Sequence, residues 1–317
     1  MWFTGKQPAN TVDPMRKPDL FVHAQPNVKL AVYTWGQAPT AEAPRETVVL
    51  LHGFPDRAMF WDKVATQLSR HFYVVAYDMR GCGASSHITG RKHYRYAPLI
   101  DDLFDVIDAV SPKQKVHLVG HDWGGLYGWD ALYDPRANSK LASFVTMAPS
   151  LNQVGLWMRK RMLRPTPHNI GQLLHQSLIS NGLMTFFAMP ILPTMLWKSG
   201  LATRMFSFFM RRFEGLSYVP NEGVEGDAIR YLGIYQSNLL QQALMPKRPV
   251  KTAIPVHALI ASKDPFLPPR VFEGCRDWVH QYSESTVDAA HWAPLSQPAL
   301  LATTIKRIAT LHHTRAA

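Results

Sequence analysis

Gly120-His121-Asp122-Trp123-Gly124-Gly125 follows the apolar run Val116-His117-Leu118-Val119 and precedes a helical stretch from Leu126 to Tyr133. Strand, tight turn and helix, with small residues around one central side chain, is the arrangement in which a strained turn presents a nucleophile. Glycine at 120 and 124 lets the backbone bend sharply and lets the helix approach the strand. The central residue is Asp122, where serine is the more usual occupant. Taken alone, the string also fits a turn whose aspartate caps the following helix. The residues elsewhere in the chain decide between the two.

A carboxylate at this position redirects the chemistry. Serine attacking a saturated carbon would form an ether that water does not readily cleave. Aspartate attacking the same carbon forms an ester whose carbonyl belongs to the protein, so water can attack that carbonyl and regenerate the nucleophile. Asp122 therefore points to ring opening or halide displacement at saturated carbon through a covalent intermediate.

Upstream, the strand Thr47-Val48-Val49-Leu50-Leu51 runs into His52-Gly53-Phe54-Pro55-Asp56. A loop there can aim the N–H of Phe54 at the same point as the N–H of Trp123, a pair suited to an oxyanion. An ordinary strand-to-helix loop is the alternative. Downstream, the strand Pro255 to Ala261 ends in Ser262-Lys263-Asp264-Pro265, and Ser285 to Ala290 leads into His291-Trp292-Ala293-Pro294. Nucleophile, acid, histidine is thus the chain order. His291 is the expected base and Asp264 the residue that orients it. The strand Ala142 to Met147 is followed by Ser150 and Asn152 and offers no carboxylate, while Asp288 reads as lying inside the strand before His291. The other histidines, His71, His87, His93, His312 and His313 among them, read mostly as solvated surface residues.

These motifs together resemble the α/β-hydrolase epoxide hydrolases. His52 to Pro55 is similar to that family's oxyanion loop, Gly120 to Gly125 to its elbow, and Asp78 to Ser85 to its glycine-rich loop, read here as structural. His291 to Pro294 with Gln297-Pro298 is similar to its histidine loop. The resemblance implies an α/β-hydrolase fold, a mostly parallel sheet flanked by helices with a helical lid, acting on a small apolar epoxide without metal or organic cofactor. It implies a lid tyrosine that protonates the oxirane oxygen, carried by Gly233-Ile234-Tyr235-Gln236-Ser237-Asn238 and therefore Tyr235. A second lid tyrosine is expected before Phe186-Phe187-Ala188-Met189-Pro190, where the chain has Leu183. Phe54, Trp123 and Leu183 are the expected substrate contacts. Haloalkane dehalogenases share the Asp-Trp-Gly string, but usually hold the halide with an asparagine where this chain has Phe54. A dehalogenase and a catalytically silent ligand-binding protein stay open as rival readings; a serine esterase does not fit, since no Gly-x-Ser-x-Gly occurs.

The 317 residues suit one such domain with its lid, and no internal repeat or low-complexity tract interrupts them. Residues 1–18, with Pro8, Pro14 and Pro18, read as an irregular leader, 19–149 and 246–317 as the core, and 150–245 as the lid. Strands near Leu20–Ala24 and Lys29–Trp35 open the sheet, then a helix Arg57–Arg70, a strand Phe72–Tyr77 and a helix Pro98–Val110. On the last of these Asp101, Asp102, Asp105 and Asp108 read as a solvated face. Two cysteines, Cys82 and Cys275, cannot build a disulfide framework, and no signal or spanning segment stands out, so a cytoplasmic location is expected. The net charge is +11. Nucleic acid is a poor explanation for it, because no recognition motif accompanies the cations. Arg159, Lys160, Arg161, Arg164, Arg211 and Arg212 are interspersed with Trp157, Met158, Met162, Met205, Phe206, Phe208 and Phe209. That mixture fits a solvated face, peripheral membrane contact, or the lining of an apolar tunnel.

Overall fold

The computed structural model describes residues 16–178, 182–217, 220, 222–247 and 249–312. The leader expected over 1–18 therefore lies almost wholly outside the described residues. Eight strands form one sheet: β1 (Leu20–Gln25), β2 (Val28–Trp35), β3 (Thr47–Leu51), β4 (Tyr73–Tyr77), β5 (Val116–Gly120), β6 (Leu141–Thr146), β7 (Val256–Ala261) and β8 (Tyr282–Val287). Their order across the sheet is β1-β2-β4-β3-β5-β6-β7-β8. β2 runs antiparallel to both β1 and β4, and every later pairing is parallel.

The central strands are buried along their whole length because helices cover both faces. The two-residue period sends Val49, Leu51, Val75 and Tyr77 into one apolar cluster and Val48, Leu50, Val74 and Ala76 into the other. The first cluster takes in α2 (Tyr96–Val110) and α3 (Trp123–Ala131). The second takes in α1 (Asp62–Leu68) and a long C-terminal helix, Pro298–Leu311. A short α4 (Ala137–Lys140) leads into β6. The helix expected over Arg57–Arg70 is a 3-10 turn, Ala58–Trp61, followed by α1.

Asp102 departs from the expected solvated face. On α2 it is buried, and its two oxygens accept from Nε and Nη2 of fully buried Arg80 at 2.7 and 2.6 Å. Asp101, Asp105 and Asp108 recur at i, i+4 and i+7 and share one helix face, from which Asp102 is turned away.

Between β6 and β7 the described residues leave the sheet for six α-helices: α5 (Leu151–Met162), α6 (Pro167–Gln176), α7 (Gly182–Ala188), α8 (Leu192–Lys198), α9 (Leu201–Phe209) and α10 (Val224–Leu244). α10 is tied to the core by polar bonds. Asp227 accepts from Arg57 Nε at 2.5 Å and from the N–H of Gly83 at 2.9 Å. Asn238 accepts from the N–H of Tyr96 and donates to the Tyr94 carbonyl.

Candidate active site

The site begins at the turn between β5 and α3. Helix α3 starts at Trp123, three residues before the expected Leu126, so Asp122 stands at the junction itself. Its φ is +49°, a conformation that costs a non-glycine residue about 1–3 kcal/mol and persists only where its surroundings impose it. They do so here. A Cβ on Gly124 would lie 2.5 Å from the Leu51 carbonyl oxygen, so only glycine lets α3 sit this close to the end of β3. A Cβ on Gly53 would lie 2.5 Å from Oδ2 of Asp122, so the same economy of atoms brings the β3 loop onto the carboxylate. The Phe54 N–H donates to Asp122 Oδ2 at 2.8 Å.

His291 follows β8 and faces Asp122. Its Nδ1 donates to Asp264 Oδ2 at 2.7 Å, which leaves Nε2 3.9 Å from Asp122 Oδ1. Asp264 is in turn fixed through Oδ1, which accepts from the N–H groups of Phe266 and Leu267 at 2.8 and 2.9 Å. Asp288 is placed differently from the expectation: it lies just past β8, exposed, and pairs with Lys263.

A cavity of about 540 Å³ opens over these groups. Asp122, His291 and Phe54 form part of its floor, and Leu183, Phe187, Trp197, Phe206 and Phe209 of the helical insertion close over it. Tyr235, on α10, also lines the cavity, its ring edge-on to Trp123 and to Phe54 at 4.7 and 5.3 Å. Leu183 stands on the wall of α7 and is partly exposed. Trp123 is fully buried behind Tyr235 and is not among the lining residues; its Nε1 makes no hydrogen bond of ordinary geometry.

A family model described as alpha/beta hydrolase fold matches residues 46–298. The chain belongs to the α/β-hydrolase fold family. EphD of Mycobacterium tuberculosis (strain ATCC 25618 / H37Rv), named a probable oxidoreductase, is 29% identical over 300 residues, covering 92% of this chain and 49% of that protein. The chain thus spans about half the length of that relative. Human epoxide hydrolase 4 is 24% identical over 320 residues, with 94% of this chain and 84% of that protein covered. The crystal structure of an epoxide hydrolase variant from Bacillus megaterium, bound to its product, matches with a TM-score of 0.70 and 20% identity over 92% of this chain and 100% of that one.

The electrostatics of this α/β-hydrolase set its charge states. Burial works against a charged imidazole at His291, but the carboxylates of Asp264, Asp122 and Glu214 outweigh it and hold the pKa at about 9. Burial raises Asp122 above the usual carboxylate range, against the pull of His291 and of the Phe54 and Trp123 amides. Asp264 ends below that range, because His291 and the two backbone donors overcome its own burial. Burial, with Asp122 nearby, holds the Tyr235 hydroxyl firmly protonated.

Three neighbours of the hydrolase site escaped the sequence reading. Glu214 closes a π-helical turn after α9, and its two oxygens accept from the N–H groups of His291 and Trp292 at 3.0 and 3.2 Å. His121, beside Asp122, donates from Nε2 to the His291 carbonyl at 2.9 Å. Its ring lies 4.7 Å from that of His291, and burial lowers its pKa to about 3, so it stays neutral. Asp56 accepts from Trp292 Nε1 at 3.0 Å, and burial raises its pKa to about 7. His121 and Asp56 stood within quoted strings, the elbow and the loop after β3, without being singled out; Glu214 carried no signal.

Proposed function

We propose that this hydrolase opens epoxides to vicinal diols through an ester on Asp122, beneath a helical lid formed by the insertion. One observation carries the reading: a carboxylate stands at the elbow, facing an apolar cavity that also holds a buried tyrosine hydroxyl. Oδ1 of Asp122, free of the Phe54 amide, attacks a ring carbon. The carbon–oxygen bond breaks, and the ring oxygen takes the Tyr235 proton. Oδ2 becomes the ester carbonyl, already facing the Phe54 amide, with Trp123 supplying the second donor.

Esterification also resets the base. It removes the negative charge 3.9 Å from His291 Nε2, one of the influences that keep the imidazole protonated, so the pKa falls as the intermediate forms and the imidazolium releases its proton to solvent, to regain one when the Asp122 carboxylate is restored. Neutral His291, oriented by Asp264, then deprotonates a water that attacks the ester carbonyl. Collapse expels the product oxygen, which takes the proton from His291. The second water proton, left on the regenerated carboxyl, restores Tyr235. The apolar walls favour a bulky epoxide. The two buried free cysteines, Cys82 and Cys275, fit a reducing cytoplasm.

Halide displacement is the second reading, favoured by the buried indole of Trp123 next to Asp122. The Phe54 side chain, which has no donor, and the position of Trp123 off the cavity wall count against it. The test is intact-protein mass spectrometry of His291→Gln with aryl and long-chain epoxides that the wild type turns over. The expected result is a mass gain equal to the epoxide. No adduct from such a substrate would sink the covalent mechanism, and halide release from haloalkanes without diol formation would select the rival.

A further inference from the structure

From Leu151 through Phe213 the chain carries eight lysines and arginines and not one aspartate or glutamate. Arg161 is buried against Glu273, and Lys160 shares the same carboxylate. Lys198, Arg204, Arg211 and Arg212, at the end of α8 and along and just beyond α9, are exposed.

Helix α9 is apolar on two sides. Ala202, Phe206 and Phe209, at i, i+4 and i+7, line the cavity. Leu201, Met205 and Phe208, one position earlier at the same spacing, face outward, with Phe208 61% and Met205 55% exposed. The neighbouring helix repeats the pattern: Leu196 and Trp197 line the cavity, while Leu192 and Met195 are exposed. A helix facing water on its outer side ordinarily carries polar residues there. Leu183 and Met205 both line the cavity and are exposed, so the cavity reaches the surface between α7 and α9, beside this apolar face.

We propose that the outer face of α8 and α9 docks on an anionic lipid bilayer, with the mouth of the cavity opening onto it. Apolar side chains ringed by cations match the two layers of such a surface, acyl chains beneath anionic headgroups. A second copy of the chain is a poorer occupant, because it would set one cation cluster against another with no acid in the segment to offset them. Among the described residues no helix is long and apolar enough to cross a membrane, so the contact is peripheral.

Co-sedimentation with vesicles tests this. The protein should partition onto phosphatidylcholine vesicles containing phosphatidylglycerol, far less onto pure phosphatidylcholine, and be released by salt. Arg211→Glu with Arg212→Glu should abolish the preference for anionic vesicles, by more than the about fivefold that each lost cation contributes. Arg211→Lys with Arg212→Lys should retain it. Leu201→Ser with Phe208→Ser should weaken binding to both kinds of vesicle. All these residues are exposed, so circular dichroism should show every variant folded. Equal binding to the two vesicle types, or none, overturns the proposal. So does a dimer in sedimentation that Phe208→Ser dissolves while vesicles retain nothing.

Discussion

The glycines of the elbow and two of those in the insertion, Gly171 and Gly200, occupy opposite environments. At Gly120, Gly124 and Gly125 an added Cβ would meet backbone or a packed side chain within 2.8 Å; at Gly171 and Gly200 it would meet nothing within 4 Å. The floor of the site is built from such close approaches, with Asp122, Asp264 and His291 each held by at least one directed bond. Its roof is built largely of hydrocarbon side chains, Leu183, Phe187 and Phe206 among them. Geometry fixed on one side and adaptable apolar cover on the other suits one reaction on substrates of varied shape.

The largest effect should come from breaking the floor. Gly124→Ala places a methyl 2.5 Å from the Leu51 carbonyl and 2.7 Å from that of His52, and neither backbone atom can swing away. The loss should exceed the about 1–3 kcal/mol of ordinary overpacking. Urea denaturation of whatever folded protein is recovered would measure it. A variant with wild-type stability would mean that α3 can retreat from β3, and that the floor is less rigid than described.

The next effect probes a hydroxyl that the roof contributes, that of Tyr235. Tyr235→Phe should slow ester formation by about 10²–10³-fold, the range for losing an oxyanion-type donor. Leu183 supplies no second hydroxyl on the opposite wall, so little should compensate. Leu183→Tyr in that background should recover part of the rate in stopped-flow traces. Unchanged rates in Tyr235→Phe would move the proton donor elsewhere.

The same contrast explains what could be read from the chain itself. Short apolar strands, glycine-flanked turns and the order Asp122, Asp264, His291 are local patterns, and the strands before Asp122 and Asp264 end where their runs of residues imply, whereas β8 ends at Val287, before Asp288. Glu214 has no such pattern. Its bond to the His291 N–H joins residues 77 apart in sequence and exists only because the insertion folds back over the histidine loop. Asp102 was legible in principle, since a helical projection turns it toward Leu99 and Val106 and away from Asp101 and Asp108. Its partner Arg80 sits in a loop whose path no local spacing reveals.

A smaller effect follows from the charge held by the floor. His291 titrates at about 9 in the folded protein against 6.5 for an ordinary imidazole, so between these values the folded state binds a proton that the unfolded chain has lost. That stabilisation is complete below pH 6.5 and disappears as pH rises through 9. Chemical denaturation at a series of pH values should show stability falling across this window, with the fall reduced in His291→Gln. An identical pH slope in the variant would mean that His291 is neutral in the folded protein. The Asp56 carboxyl, raised from 3.8 to about 7, acts in a lower window and would not imitate the result.

The smallest effect repeats the first substitution in the other environment. Gly171 lies inside α6, exposed, with open space where a Cβ would go. Glycine in a helix interior is about 0.5–1 kcal/mol less favourable than alanine, because the unfolded chain has more freedom to lose. Gly171→Ala should therefore stabilise by up to that amount, where Gly124→Ala destroys. The two states that matter are α6 formed and α6 melted. If the insertion unfolds together with the sheet, the gain appears in full in global urea denaturation. If α6 melts first, the gain appears only in hydrogen exchange of its own amides, and the global midpoint stays where it was. A gain in neither measurement would mean that α6 is not helical in solution, and the adaptable roof would then need a different description.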